Sequence, residues 1–195
     1  MTRIILASGS KYRKELLERL GIDFECISPD IDEDKLKKTI KDPIELSKEL
    51  SRLKAQEIFK DNQDALVIGS DQVCFYEGQI LGKSGSIEKS YQILSTLSGN
   101  EHILATAYTI MHKEHILTNV NTTKLKMKKF DGEFIKKYLS LDNPIDCAGS
   151  YKLELYGIAL FSKIETTDHT AIIGLPLIEL SLDLEKLGIS LLSKG

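Results

Sequence analysis

The chain has 195 residues, of which 42% are hydrophobic and 28% are charged, a composition typical of globular proteins. Its formal net charge of −3 lacks the basic excess that binders of duplex nucleic acid usually carry. No apolar segment approaches the roughly 20 residues that cross a bilayer. We therefore expect neither a nucleic acid duplex nor a membrane as partner.

Hydrophobic periodicity and capping residues predict a mixed series of strands and helices. In chain order these are strand 3–7, helix 11–20, strand 24–27, helix 42–60, strands 65–76 and 79–81, helix 87–97, strands 102–111 and 116–127, helix 131–139, strand 159–164 and helix 177–187. Ser10, Asp42 and Ser86 are the predicted N-caps of the first three helices. The acidic segment 30–42 has weak periodicity and is predicted to be a surface loop. Mixed elements with hairpins in the middle favour an α/β or α+β fold.

The cysteines and lysines carry weaker signals. Cys26, Cys74 and Cys147 have no CxxC spacing, which makes a zinc site improbable. Their odd number, with no signal-peptide pattern at the N-terminus, predicts free, buried thiols in a reducing cytoplasm. The lysines of segment 124–129 mostly alternate with apolar residues, as on the solvated face of a strand.

The first candidate site is the turn from the first strand into the first helix. Free backbone N–H groups at a helix N-terminus attract anions, and the hydroxyls of Ser8 and Ser10 add donors. Arg13 adds a planar fork that suits phosphate oxygens. Taken alone, the same residues are more typical of a capped helix that carries a surface arginine.

The second candidate is Asp71, which interrupts the apolar run 65–76. A carboxylate in a buried strand is costly unless it is paired or binds a metal. It suits Mg²⁺ or the positioning of an attacking water. The alternative is an aspartate at a strand end that caps a neighbouring turn.

Three further segments are ambiguous when each is taken alone. Lys83 follows a hairpin and can reach a phosphate, although most exposed lysines bind nothing. Lys152 and Glu154 fall on the same side if segment 147–154 is extended, but the segment can also be a charged loop. Gly174-Leu-Pro-Leu177 can simply turn the chain into the last helix.

Together, however, the order and spacing of these motifs resemble the Maf family. The opening segment resembles the family signature Leu-Ala-Ser-x-Ser-x-x-Arg, and the resemblance continues from about Arg3 to Leu187. The matching motifs are Leu6-Ala-Ser-Gly-Ser-Lys-Tyr-Arg13, Asp32-Glu33, Lys54-Ala55, Gly69-Ser-Asp-Gln72, Leu81-Gly-Lys83, Leu97-Ser-Gly99, Cys147-Ala-Gly-Ser150 and Gly174-Leu-Pro-Leu177.

The resemblance implies an α/β fold related to the inosine triphosphate pyrophosphatases, with a mixed sheet, flanking helices and two lobes around a deep cleft. We expect residues 1–195 to form one such domain, and the family resemblance favours a homodimer. It implies cleavage of a nucleoside triphosphate between the α- and β-phosphates, with a divalent cation, Mg²⁺ or Mn²⁺, as cofactor. The phosphates would bind Ser8, Ser10, Arg13, Lys54 and Lys83.

The resemblance also assigns the two carboxylates. Glu33 and Asp71 are the expected metal ligands, and Asp71 is the expected catalytic residue. Whether Asp71 acts as general base or as metal ligand stays open at this stage. Ser84, which stands where a proline usually follows Gly-Lys, departs from the family pattern near the pocket.

Within the family, the chain is most similar to the branch that acts on 7-methyl-GTP. The branch acting on dTTP and UTP usually has Asp-Thr where this chain has Asp71-Gln72, and Ala-Gly-Gly-Tyr where this chain has Ala148-Gly-Ser-Tyr151. Base choice would then depend on Tyr12, Gln72 and Glu154. An aromatic face attracts the positively charged 7-methylguanine, a carboxylate balances its charge, and an amide can donate and accept hydrogen bonds.

Two alternatives remain open from the sequence. One is a dTTP/UTP pyrophosphatase, against which Gln72 and Ser150 weigh. The other is a nucleotide-binding regulator of septum formation without catalysis, since the family has been linked to that process. The presence of both Glu33 and Asp71 favours an enzyme.

Overall fold

The computed structural model describes residues 2–193, which form one mixed sheet flanked by helices. The elements are β1 Ile4–Ala7, α1 Lys11–Glu18, β2 Glu25–Cys26, α2 Glu33–Thr39, α3 Pro43–Phe59, β3 Leu66–Tyr76, β4 Gln79–Leu81, α4 Ile87–Leu97, β5 Glu101–His112, β6 His115–Met127, α5 Gly132–Asp142, a 3₁₀ helix Tyr156–Leu160, β7 Phe161–Glu165, α6 Thr170–Ile173 and α7 Leu177–Lys186. This architecture confirms the predicted α/β fold.

The sheet has the strand order β2-β1-β3-β5-β6-β7, and β4 also pairs with β3. β1 lies parallel to β2 and β3, whereas the remaining pairs are antiparallel. One edge of β3 pairs with β1 along 66–69 and with β4 along 74–76. Between these pairings, residues 70–73 have no strand partner on that edge within the described chain. The sheet is therefore open at this point.

The core is divided on either side of the opening. One apolar cluster packs α1 and α7 against β1 and the first half of β3, with Leu16 and Leu180 fully buried. Another packs α4 and α5 against β5 and β6, and includes Leu94 and Ile135. The two lobes around a cleft that the family resemblance implies stay a prediction. No helix among residues 2–193 is long and apolar enough to cross a membrane.

Capping residues mark the helices as predicted. The side chains of Ser10, Asp42 and Ser86 each accept a hydrogen bond from a backbone N–H in the first turn of α1, α3 and α4. Glu77 and Gly78 both have positive φ angles, as a tight turn between antiparallel strands requires. The lysines at 124, 126 and 128 are exposed and alternate with buried residues, which confirms the predicted solvated strand face.

The surface loop predicted at 30–42 is wrong, because this segment contains α2. The side chain of Asp32 caps the helix by accepting a hydrogen bond from the Lys35 N–H. Acidic residues occupy the first turn of α2, and the last turn carries Lys37 and Lys38. This arrangement complements the helix dipole. Leu36 packs on the cluster around α3, but no α2 side chain is fully buried, so its periodicity is weak.

Three other expectations need correction. The last strand begins at Phe161 because residues 156–160 form a 3₁₀ helix, and the short helix α6 was not predicted. The cysteines are free, as expected, but only Cys74 is buried. Cys26 lies exposed on the short edge strand β2, and Cys147 is half-buried.

The close contact between β3 and α3 gives a stability prediction. A Cβ atom at Gly69 would lie 2.3 Å from the Ser51 carbonyl oxygen and 2.6 Å from the Ala55 nitrogen, both of which are backbone atoms. We expect G69A to lower the free energy of unfolding by about 2–3 kcal/mol because α3 must move away from the sheet. Denaturant unfolding measures this change.

The matched control is G82A, since a Cβ atom at Gly82 meets nothing within 4 Å. Its free energy of unfolding should change by less than about 0.5 kcal/mol. Equal stabilities of the two variants would contradict the close packing of α3 on β3.

Candidate active site

The largest concentration of predicted site residues lines a cavity of about 340 Å³ at the unpaired edge of β3. Because the strand edge itself faces the cavity, side chains from both faces of β3 reach its walls. The lining includes Ser10, Tyr12, Arg13, Glu33, Lys54, Asp71, Gln72, Lys83, Asp146, Glu154, Ile172 and Ile173. Ser8 lines an adjoining depression that shares several of these residues. The structure thus brings all the predicted site residues to one connected region.

The turn between β1 and α1 holds a guanidinium in place. The Ser8 hydroxyl is buried, accepts a hydrogen bond from the Ser10 N–H at 3.2 Å and lies 3.5 Å from the Arg13 Nη1. The Arg13 Nε donates to the carbonyl oxygen of Gly174 at 2.9 Å. These contacts fix one side of the Arg13 guanidinium. The positive charge of Arg13 and the N-terminus of α1 therefore both lie at the cavity.

A buried ammonium joins the two carboxylates that were predicted as metal ligands. The Lys54 Nζ lies 2.6 Å from the Asp71 Oδ1 and 2.8 Å from the Glu33 Oε1. Asp71 is only 6% exposed and Lys54 8%, so the charges are largely removed from water. The expectation that Asp71 must be paired or bound to metal is therefore met by Lys54.

Glu33 receives a second cation from its own helix. The Lys37 Nζ donates to the Glu33 Oε2 at 2.9 Å, one turn further along α2. Burial opposes ionisation, but Lys54 and Lys37 together lower the pKa of Glu33 from 4.5 to about 2. Lys37 was not predicted as part of the site, because the segment that carries it was interpreted as a loop.

The two carboxylates form a donor set that suits a divalent cation. Both point to the single position that the Lys54 ammonium occupies, and both supply the hard oxygen ligands that Mg²⁺ and Mn²⁺ prefer. Within residues 2–193 there is no group of three or more His, Cys, Asp or Glu arranged as a complete metal cage. Mg²⁺ commonly binds one or two carboxylates and takes substrate phosphates for its other ligands.

The side chains on either side of Asp71 point to the opposite face of β3 and hold α6. The Ser70 hydroxyl donates to the Gly174 carbonyl oxygen at 3.0 Å. The Gln72 Nε2 lies 2.9 Å from the carbonyl oxygens of Ala171 and Ile172. The hydrogen-bond donors of Gln72 are thus committed to α6, and Gln72 shapes the cavity by positioning this apolar wall.

The opposite end of the cavity contains the aromatic residue predicted for base binding. The Tyr12 hydroxyl donates to both carboxylate oxygens of Asp146, at distances of 3.1 and 3.3 Å. Partial burial opposes ionisation, but the hydrogen bond from Tyr12 and the nearby Lys152 hold the pKa of Asp146 below its ordinary value. Asp146 directly precedes the Cys-Ala-Gly-Ser motif, but its contact with Tyr12 spans 134 residues and was not predicted.

Lys152 and Glu154 do not lie on the same side of an extended segment, because residues 153–155 form a turn. Lys152 is buried, and its Nζ donates to the carbonyl oxygens of Asp142 and Asn143 at 2.8 and 3.2 Å. Glu154 is exposed and lines the cavity. Lys83 is also exposed, and its backbone forms an isolated antiparallel bridge with Ala148 at the cavity mouth.

The arrangement of these motifs agrees with comparisons to known proteins. A family model described as Maf-like protein matches residues 3–187. The chain belongs to the Maf family. Its relatives in the family include a 7-methyl-GTP pyrophosphatase of Bdellovibrio bacteriovorus, 44% identical over 94% of this chain and 96% of the relative.

Two further relatives in the Maf family match nearly full length. A 7-methyl-GTP pyrophosphatase of Pseudomonas savastanoi pv. phaseolicola is 41% identical over 97% of this chain and 99% of its own. A dTTP/UTP pyrophosphatase of Dictyoglomus thermophilum is 35% identical over 97% of this chain and 98% of its own. Among solved structures, a HAM1 protein from Coxiella burnetii aligns with a TM-score of 0.44 and 15% identity, covering 65% of this chain and 73% of that one.

The depressed pKa of Glu33 gives a prediction for acid stability. A carboxylate whose pKa falls on folding stabilises the protein above its unfolded pKa, and this contribution is lost as the pH falls through the folded value. For Glu33 this window lies between 4.5 and about 2. We expect E33Q to be less stable than the wild type at neutral pH and to lose less stability across this window.

Urea unfolding of both proteins at a series of pH values measures the difference. The two stability curves should converge as the pH falls towards 2, because Glu33 is then protonated in the wild type. Curves that remain parallel across the window would contradict the ion pairs assigned to Glu33.

Proposed function

We propose that this Maf protein hydrolyses nucleoside triphosphates between the α- and β-phosphates, releasing a monophosphate and pyrophosphate, and that it prefers 7-methyl-GTP. The observation that carries the proposal is the buried Asp71 carboxylate, which shares one cavity with Glu33, Arg13 and the N-terminus of α1. The full-length relatives named as 7-methyl-GTP pyrophosphatases support the same reaction.

The cationic side of the cavity binds the phosphate chain. Arg13 presents the nitrogens that its bond to Gly174 leaves free, and Lys83 adds a mobile charge at the mouth. The Ser8 and Ser10 hydroxyls hold the turn that orients this end of the site. Lys54 neutralises the carboxylates beside the phosphates, since its ammonium already contacts both of them.

Glu33 and Asp71 would hold a divalent cation, Mg²⁺ or Mn²⁺, together with the phosphate oxygens. When bound, such a cation supplies charge neutralisation and lowers the pKa of a coordinated water. Lys54 and Lys37 both contact the Glu33 carboxylate and lower its pKa, which favours the ionised form that a cation requires.

Asp71 orients the attacking water and accepts its proton. Its Oδ1 is held by Lys54, whereas its Oδ2 has no hydrogen-bond partner among residues 2–193. A carboxylate fixed at one oxygen and free at the other can direct a water towards the α-phosphate. The same free oxygen can instead bind the cation, and both roles require the carboxylate.

The other end of the cavity selects the base. The Tyr12 ring offers a face for stacking and for cation–π contact with 7-methylguanine. Glu154 can accept hydrogen bonds from the base or balance its charge, and Gln72 fixes the apolar wall formed by Ile172. A dTTP/UTP pyrophosphatase is the second candidate, because the Dictyoglomus thermophilum relative bears that name.

A substitution at Asp71 tests the proposed catalytic carboxylate. We expect D71N to lower kcat by about a hundred- to ten-thousand-fold, because the asparagine amide can neither accept the proton nor ligate a cation as a carboxylate does. Pyrophosphate release with Mg²⁺ measures the rate, and thermal unfolding verifies that the variant is folded. The matched control is D61N, because Asp61 is exposed and lies outside the cavity. This variant should keep the wild-type rate.

A folded D71N protein with a near-normal rate would show that Asp71 is not the catalytic carboxylate. A wild-type protein that binds nucleotide but releases no pyrophosphate would instead favour a non-catalytic regulator.

The second prediction concerns the base. Across 7-methyl-GTP, GTP, dTTP, UTP, CTP and ITP, we expect the highest kcat/KM for 7-methyl-GTP. E154A should lose more activity against 7-methyl-GTP than against the other nucleotides, since only that base carries a positive charge for Glu154 to balance. A preference for dTTP or UTP would be compatible with the proposed hydrolysis at the α-phosphate. It would refute the assignment of Tyr12, Gln72 and Glu154 to 7-methylguanine. Equal losses of E154A against all six would remove Glu154 from base selection.

A further inference from the structure

The Tyr12 ring is held in place by Asp146, a residue outside the proposed base-binding set. Its hydroxyl bonds Asp146, which lies in the segment after α5, whereas Tyr12 lies on α1. This hydrogen bond joins two residues that both line the cavity. It limits rotation of the ring about its side-chain bonds and places a carboxylate at the ring's hydroxyl end.

The Asp146 carboxylate is accessible to a ligand. Its side chain is 49% exposed, and the residue lines both the main cavity and the adjoining depression. The nearest cation is the Lys152 Nζ at 3.8 Å, which already donates to two backbone carbonyl oxygens. Lys152 therefore neutralises the Asp146 carboxylate only in part.

Glu154 differs from Asp146 in how it is held. Among residues 2–193 no other side chain hydrogen-bonds the Glu154 carboxylate, and Glu154 lies exposed in a turn, so its side chain is less firmly held than that of Asp146. Asp146 is instead fixed against Tyr12 before any ligand arrives. The Lys11 and Lys152 ammonium groups lie 5.0 and 5.6 Å from the centre of the Tyr12 ring. A positively charged base that stacks on this ring therefore depends on the Asp146 carboxylate, which bonds the Tyr12 hydroxyl, to offset their charge.

We propose that Asp146 is a specificity-determining residue, which orients the Tyr12 ring and supplies the fixed negative charge that favours a cationic purine over a neutral one. The inference rests on the proposed function and extends it, because it adds a preorganised carboxylate to the base site. A fixed charge discriminates more strongly than a mobile one, since no side-chain freedom is lost on binding. The discrimination acts between 7-methyl-GTP and GTP, which differ in the N7 methyl group and its charge.

Two variants separate the charge of Asp146 from its hydrogen bond. D146N removes the charge but keeps an oxygen that can accept from the Tyr12 hydroxyl. Y12F removes the hydroxyl but keeps the aromatic face and the Asp146 charge. D61N, an exposed aspartate outside the cavity, is the control for the loss of one negative charge.

The measurement is kcat/KM for 7-methyl-GTP and for GTP, with the affinities for 7-methyl-GMP and GMP determined by calorimetry. We expect D146N to lower the ratio of the two kcat/KM values about tenfold, and the affinity ratio of the monophosphates equally. Y12F should lower both ratios less than D146N does, and D61N should leave them unchanged. A merely structural role of Asp146 would reduce activity on both nucleotides alike and leave the ratios unchanged.

The outcomes distinguish this proposal from the proposed function. An unchanged preference in D146N would overturn the role of Asp146 while 7-methyl-GTP remained the preferred substrate. A wild-type protein without preference for 7-methyl-GTP over GTP would overturn both the base assignment and the role of Asp146. If that protein still released pyrophosphate and D71N did not, the proposed role of Asp71 in hydrolysis would remain supported.

Discussion

A buried ammonium between two carboxylates holds the catalytic end of this protein together. Lys54 comes from α3, Glu33 from α2 and Asp71 from β3, so three elements meet at one charged centre. Removing one member of such a buried pair typically costs about 3–5 kcal/mol, because the remaining charge has no water to replace its partner. The placement of α2 over the cavity therefore depends on the ion pairs of Glu33 as well as on apolar contacts. The groups that can bind a cation are arranged by the contacts that stabilise this region.

The opening in the sheet explains how one strand serves two ends of the substrate. Residues on opposite faces of a strand normally face different layers of a fold. Here the edge of β3 is unpaired between β1 and β4, and Asp71 and Gln72 both line the same cavity although they point to opposite faces. Asp71 contacts Lys54 of α3, and Gln72 contacts α6, so the proposed phosphate site and the proposed wall of the base site lie on opposite faces of β3. The relative positions of these two ends are set by a single rigid strand.

Local sequence signals predicted most of the framework, because its helices carry N-caps and its strands carry continuous apolar runs. They also placed Asp71 in a buried strand that required a charged partner. They missed α2, whose stability comes from charges at its ends and from contacts with α3 rather than from a continuous apolar stripe. They also missed Asp146, because its contact with Tyr12 joins residues 134 positions apart. The roles of Gln72 and Lys54 likewise depend on partners that only the folded chain brings together.

In the proposed reaction, a water directed by Asp71 attacks the α-phosphate. Hydrolysis of 7-methyl-GTP in water enriched in oxygen-18, followed by mass spectrometry of the products, shows which phosphate the water attacks. We expect the label in 7-methyl-GMP and none in pyrophosphate, because water forms its new bond to the α-phosphorus and pyrophosphate leaves with its own oxygens. Label in pyrophosphate would show attack at the β-phosphate, and formation of 7-methyl-GDP with labelled phosphate would show attack at the γ-phosphate. Either result would contradict the proposed position of the reacting phosphate beside Asp71.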